Sequence, residues 1–161
     1  MDRINALRIC GVLVGFALVI TAAARMVAQA DPHLGTWVLS LEKSKYAPGT
    51  APKSQTSVYS AAGQGIKVVS TAINATGTVT TEYTATLDGK DHPVKGSPDW
   101  DTTALKRIDA RTIEFTRKKG GKVVQTARSV VAADGQSRTV TVTGVNAQGQ
   151  KLNTTGLWIK K

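Results

Sequence analysis

Residues 102–131, TTALKRIDARTIEFTRKKGGKVVQTARSVV, decide how this chain folds. Two turn signals, Asp109-Ala110-Arg111 and Gly120-Gly121, divide them into three stretches rich in Val, Thr and Ile. Glycine accepts the positive φ that a tight hairpin turn demands, and Asp tolerates it better than most residues. Within residues 112–117, Ile113 and Phe115 alternate with Thr112, Glu114 and Thr116, the two-residue period of a strand with one buried face. Three antiparallel strands joined by hairpins follow.

The same pattern extends outward in both directions. Further turn signals stand at Gly63-Gln64-Gly65, Asn74-Ala75-Thr76-Gly77, Asp88-Gly89, Gly96-Ser97-Pro98, Asp134-Gly135 and residues 146–149. Strands are expected near 35–41, 55–61, 65–74, 78–87, 91–95, 102–108, 112–118, 122–132, 137–145 and 150–160. No stretch carries a helical stripe, and no repeated unit points to a solenoid. The expected class is all-β, an antiparallel up-and-down meander. Such a meander either leaves two edges exposed or closes into a barrel, and closure removes the edges. A barrel of eight to ten strands is the economical answer, with a two-sheet sandwich as its rival. After residue 30, large apolar and aromatic residues make up only 32 of 131 positions. Thr, Ala and Ser fill many strand positions, either lining a cavity or facing solvent.

The N-terminal residues read as a leader. Arg3 and Arg8 precede the uncharged residues 11–24, GVLVGFALVITAAA, and Ala28-Gln29-Ala30 is a small-x-small cleavage pattern. The apolar run falls short of the roughly 20 residues of a membrane span. Residues 1–30 are therefore expected to be a signal peptide and residues 31–161 a single periplasmic or secreted domain. Cys10, the only cysteine, would leave with the leader, which excludes disulfides, thiol catalysis and cysteine-bound metal from the mature domain. Loss of three Arg and one Asp lowers the formal charge from +10 to +8. That excess suits an anionic membrane or cell-wall surface, or simple solubility.

Gly35-Thr36-Trp37, just after the mature N-terminus, resembles the Gly-x-Trp signature of the calycins, the lipocalins and fatty-acid-binding proteins. Residues 106–113, 118–124 and 134–143 resemble successive hairpins of the intracellular lipid-binding barrels. The resemblance implies a lipocalin-like barrel, with Trp37 packed across one end, Gly35 giving it room, and a basic residue of the last strand covering it. Lys160 is the candidate, with Lys161 second. Two features depart from the family. Residues 42–54 are short and twice interrupted by proline, so no helical lid is expected. Gly156-Leu157-Trp158 also replaces the Arg-x-Tyr pair that would grip a carboxylate.

The expected function is non-enzymatic binding of a small, partly hydrophobic ligand inside the barrel. Tyr59, Tyr83, Phe115 and Trp158 are the candidate walls. Arg107 and Arg128 are candidates to turn inward toward an acidic group, or else are solvated outer-face residues. The alternative is a ligand-free envelope module whose basic hairpin tip, Arg117, Lys118, Lys119 and Lys122, contacts anionic lipid or wall polymer. No cofactor or metal is expected: His33 and His92 are the only histidines, and Asp99-Trp100-Asp101 has no partner at a recognisable spacing. Aromatic residues are not interleaved with a dense basic stripe, which argues against nucleic acid. A monomer is expected.

Overall fold

The computed structural model describes residues 30–47 and 51–161; the proposed leader, with Cys10, lies outside the described residues apart from Ala30. Ten strands follow in chain order: β1 (Gly35–Ala47), β2 (Ser54–Ala62), β3 (Gly65–Asn74), β4 (Gly77–Thr86), β5 (Asp88–Pro93), β6 (Thr102–Asp109), β7 (Thr112–Lys119), β8 (Lys122–Val131), β9 (Ser137–Val145) and β10 (Lys151–Lys160). They form one antiparallel sheet ordered β4-β3-β2-β1-β10-β9-β8-β7-β6-β5, and not two stacked sheets. First and last strands meet: Trp37 pairs with Lys160 and Leu39 with Trp158. The remaining seam, between β4 and β5, is drawn together by a bridge in which Glu82 and Lys95, just past β5, exchange backbone hydrogen bonds of 2.9 Å, and by His92 of β5, whose Nε2 accepts from the Thr86 N–H at 3.2 Å. The result is a nearly closed barrel.

Two local departures from the expected strands have physical causes. β1 continues to Ala47 because it absorbs extra residues between Ser40 and Lys45. The Ser44 hydroxyl donates to the Ser40 carbonyl (2.6 Å) and accepts from the Leu157 N–H (3.0 Å), standing in for the interrupted ladder. Asp88-Gly89, expected as a hairpin turn, is an irregularity inside β5, where the Asp88 carboxylate accepts from the Thr86 hydroxyl and the Lys90 N–H.

In a meander, alternate turns lie at opposite ends. The end holding the start of β1 and the end of β10 is filled by Trp37, Leu39, Ile66, Val68, Leu105, Ile113 and Val131. Trp37 is wholly buried, and its Nε1 donates to the His33 carbonyl at 2.8 Å. The Lys160 ammonium lies 5.1 Å from the indole centroid and donates to the Pro32 carbonyl at 3.2 Å. Gly35 has φ +120°, and a Cβ there would stand 2.8 Å from Lys160 Cε. The backbone angle selects glycine, and the open space lets the lysine stem lie against it. Asp31 secures this end by an ion pair with Arg107 of β6, and its carboxylate also accepts from the His33 backbone N–H at 3.0 Å.

Candidate functional site

Higher in the barrel, the same strands point different side chains inward. A cavity of about 350 Å³ opens toward the β1–β2, β3–β4 and β9–β10 turns. Its lower wall holds Arg138 of β9, 2 % exposed, inside a cage of three rings. The guanidinium carbon is 4.3 Å from the Tyr59 centroid, 4.7 Å from Trp37 and 5.1 Å from Trp158. These residues come from β2, β1 and β10, so only closure of the barrel assembles the cage. Cation–π attraction of about 0.5–2 kcal/mol per contact offsets part of the cost of burying the charge. It does not satisfy the N–H groups: Nε and Nη1 of Arg138 have no hydrogen-bond partner among the described residues.

A second guanidinium faces the same space. Arg117 of β7 lies 4.7 Å from the Trp100 centroid and 5.9 Å from Phe115. Its Nη1 donates to Gln125 Oε1 at 3.0 Å, while its buried Nε has no partner among the described residues. Burial pulls the guanidinium below its ordinary pKa, since low-dielectric surroundings disfavour the charged form. Tyr83 stands edge-on to Trp100, with ring centroids 5.9 Å apart. Burial pushes its hydroxyl well above the ordinary value; the neighbouring Tyr59 adds to the rise, and the two arginines oppose it.

Among the described residues, one carboxylate lines this cavity, that of Asp99. Its Oδ1 is engaged by the Ala147 N–H at 2.8 Å, which ties residues 94–101 across the barrel end to the β9–β10 turn. Trp100 rides on that connection, and the Val94 N–H and Asp101 carbonyl close it with a 2.8 Å bond. Asp99 and Asp101 thus serve the connection: Asp101 accepts from the Gly120 N–H at 2.9 Å and from the Thr102 hydroxyl at 3.1 Å. The cavity is therefore lined by one buried and one half-buried guanidinium and by apolar rings.

The structure brings Tyr59, Tyr83, Phe115 and Trp158 together on this lining. Arg107 and Arg128 lie elsewhere: Arg107 pairs with Asp31 at the closed end, and Arg128 pairs with Glu114 on the outer surface at 2.6 Å. Of the basic hairpin, Lys119 and Lys122 are exposed at the tip, Lys118 pairs with Asp91 at 2.6 Å, and Arg117 is inside. The signal for Arg117 lay in the alternation itself. The period that turns Ile113 and Phe115 inward carries Arg117 with them. Arg138, Gln125, Ser57 and Ser70 were not anticipated, although Arg138 shares its parity with Val140 and Val142, which line the same wall.

His33 is buried against Asp31, and His92 Nε2 accepts from the Thr86 N–H at 3.2 Å. Among the described residues, no three metal-binding side chains converge. Compared with known protein families and with curated proteins, the chain matches none.

Proposed function

We propose that this barrel binds a small amphipathic anion, holding the acid group between Arg138 and Arg117 and the apolar part against the rings and Val140, Val142 and Leu152. The observation that carries this reading is a buried guanidinium, that of Arg138, and a half-buried one, that of Arg117, lining one cavity. Nε and Nη1 of Arg138 and Nε of Arg117 lack hydrogen-bond partners among the described residues. The one carboxylate those residues place on the lining, Asp99, is held by the Ala147 N–H and acts on Arg117 and not on Arg138. An unpaired buried charge is costly, and a guanidinium recognises carboxylate or phosphate through paired hydrogen bonds. A bound anion lying against the cavity-facing edges of these guanidiniums would offset that cost. The cavity is at the small end of the ~300–1,000 Å³ usual for ligand sites. At ~30 Å³ per water-sized group, it holds roughly a dozen. A medium-chain acid matches that size.

Binding alone, with no chemistry, is the role that fits. Kinship with the calycin barrels is supported by the meander order and by Gly35, Trp37 and Lys160 converging at one end. The leader pattern supports export of residues 31–161.

Tryptophan fluorescence tests the reading, because Trp100 and Trp158 line the cavity. Decanoate should quench saturably, and decanol, its neutral counterpart, at least tenfold more weakly. Mass spectrometry of the purified protein should show a co-purifying acid. Equal response to decanoate and decanol, or to neither, would dismiss the proposal.

A further inference from the structure

The wall halfway round the barrel from β7 carries a second polar device. Ser57 of β2 and Ser70 of β3 are direct cross-strand partners, and both line the cavity. Their hydroxyl oxygens are 2.8 Å apart, and Gln55 Nε2 donates to Ser70 Oγ at 3.0 Å. Ser57 is buried. Two hydroxyls carry two hydrogens, and the bond between them uses one. Whichever serine donates, one O–H is not used within the set, and both serines and Gln55, with its amide oxygen as an acceptor, line the cavity. A buried hydroxyl without a partner is costly, so this set suits an oxygen and disfavours plain hydrocarbon.

Gln55, Ser57 and Tyr59 are successive inward residues of β2. At ~3.4 Å of rise per residue, Ser57 sits about 7 Å above Tyr59, whose ring touches the Arg138 guanidinium. The polar pair is thus several bonds along any ligand whose acid group rests on Arg138.

We infer that the Gln55–Ser70–Ser57 ladder reads a hydroxyl or keto oxygen in mid-chain, so that the preferred ligand is an oxygenated acid and not the unsubstituted one. This rests on the anion reading and narrows it. The plain and substituted acids share the head group, so the two ideas can fail separately.

The test compares decanoate with decanoates carrying a single mid-chain hydroxyl, titrated calorimetrically against the wild-type protein and a Ser57→Ala, Ser70→Ala double variant. One neutral hydrogen bond is worth roughly 1 kcal/mol, so the best hydroxy acid should bind wild type about five- to tenfold more tightly than decanoate. In the double variant that ratio should collapse to about one, because the hydroxy acid loses its partner and the plain acid no longer covers an unbonded hydroxyl. Gln55→Leu, at a half-buried position, provides a second variant should the double one fail to fold, and should narrow the ratio in the same direction. Equal affinity of wild type for plain and hydroxylated acids, or a ratio untouched by these substitutions, overturns the ladder and leaves the anion reading standing. No binding of either acid overturns both.

Discussion

The two ends of this barrel are built from the same ten strands and do opposite things. At the closed end, the inward rows are Trp37, Ile66, Leu105, Ile113 and Val131, all buried and packed on one another. Farther along β7 and β8 the inward row turns to Arg117 and Gln125, and on β2 and β9 Tyr59, Ser57 and Arg138 join them around open space. The strand frame is indifferent to this change, since Thr, Val and aromatic residues all suit a pleated, half-buried surface. The packed end, on which Arg138 rests through Trp37, supplies the stability that lets the cavity wall carry a buried cation and incompletely bonded hydroxyls.

Truncation at the closed end should therefore have the largest effect. Trp37→Ala removes the ring shared by Arg138 and Lys160, and is expected to cost about 3–5 kcal/mol in urea denaturation. A loss below about 1 kcal/mol would show that this end is not the principal core. A matched leucine pair sharpens the contrast. Leu105→Ala, at a wholly buried site, should cost about 2–5 kcal/mol, whereas Leu152→Ala, half-buried on the existing cavity, should cost less than about 1. Equal costs would erase the distinction between the two regions.

A smaller effect is expected at the Asp31 latch. Burial alone would raise its carboxyl, but hydrogen bonds from the His33 ring and backbone N–H, with the Arg107 charge, outweigh it and hold the pKa at about 2. A depressed carboxyl contributes stability above its ordinary value, near 3.8, and loses it as pH falls through about 2. Asp31→Asn should cost on the order of 2 kcal/mol at neutral pH and flatten the loss of stability over that acid range, read from urea midpoints. A variant with the wild-type acid profile would remove Asp31 from the account.

Much of the frame was legible in the sequence because each hairpin carries its own local signal. Asp109 through Thr112 and Gly120-Gly121 turn where expected, and the strands between them fall within a few residues of their expected bounds. Gly35, Trp37 and Lys160 were legible as a group through resemblance, and their convergence explains each of them. The candidate site was only half legible. Its aromatic walls follow from alternation and apolar character. Alternation also turns Arg117 inward, but its place in a charged hairpin beside Lys119 and Lys122 reads as solvated and overrides that signal. Arg138 depends on rings from three other strands, contacts that exist only once the barrel has closed. Arg107 shares the inward parity of Leu105 but emerges beyond the packed rows, where Asp31 meets it.

The smallest expected change in stability carries the central claim. Arg138→Met replaces a buried, incompletely bonded cation with an apolar side chain, a substitution often neutral or stabilising. Thermal unfolding of wild type and variant, each with and without decanoate, is the direct test. The account predicts that the variant unfolds at or above the wild-type temperature without ligand, and that decanoate raises the midpoint of the wild type alone. A variant markedly less stable than wild type, together with a wild-type midpoint that decanoate leaves unmoved, would mean that Arg138 is there to hold the rings together and that no anion belongs in the barrel.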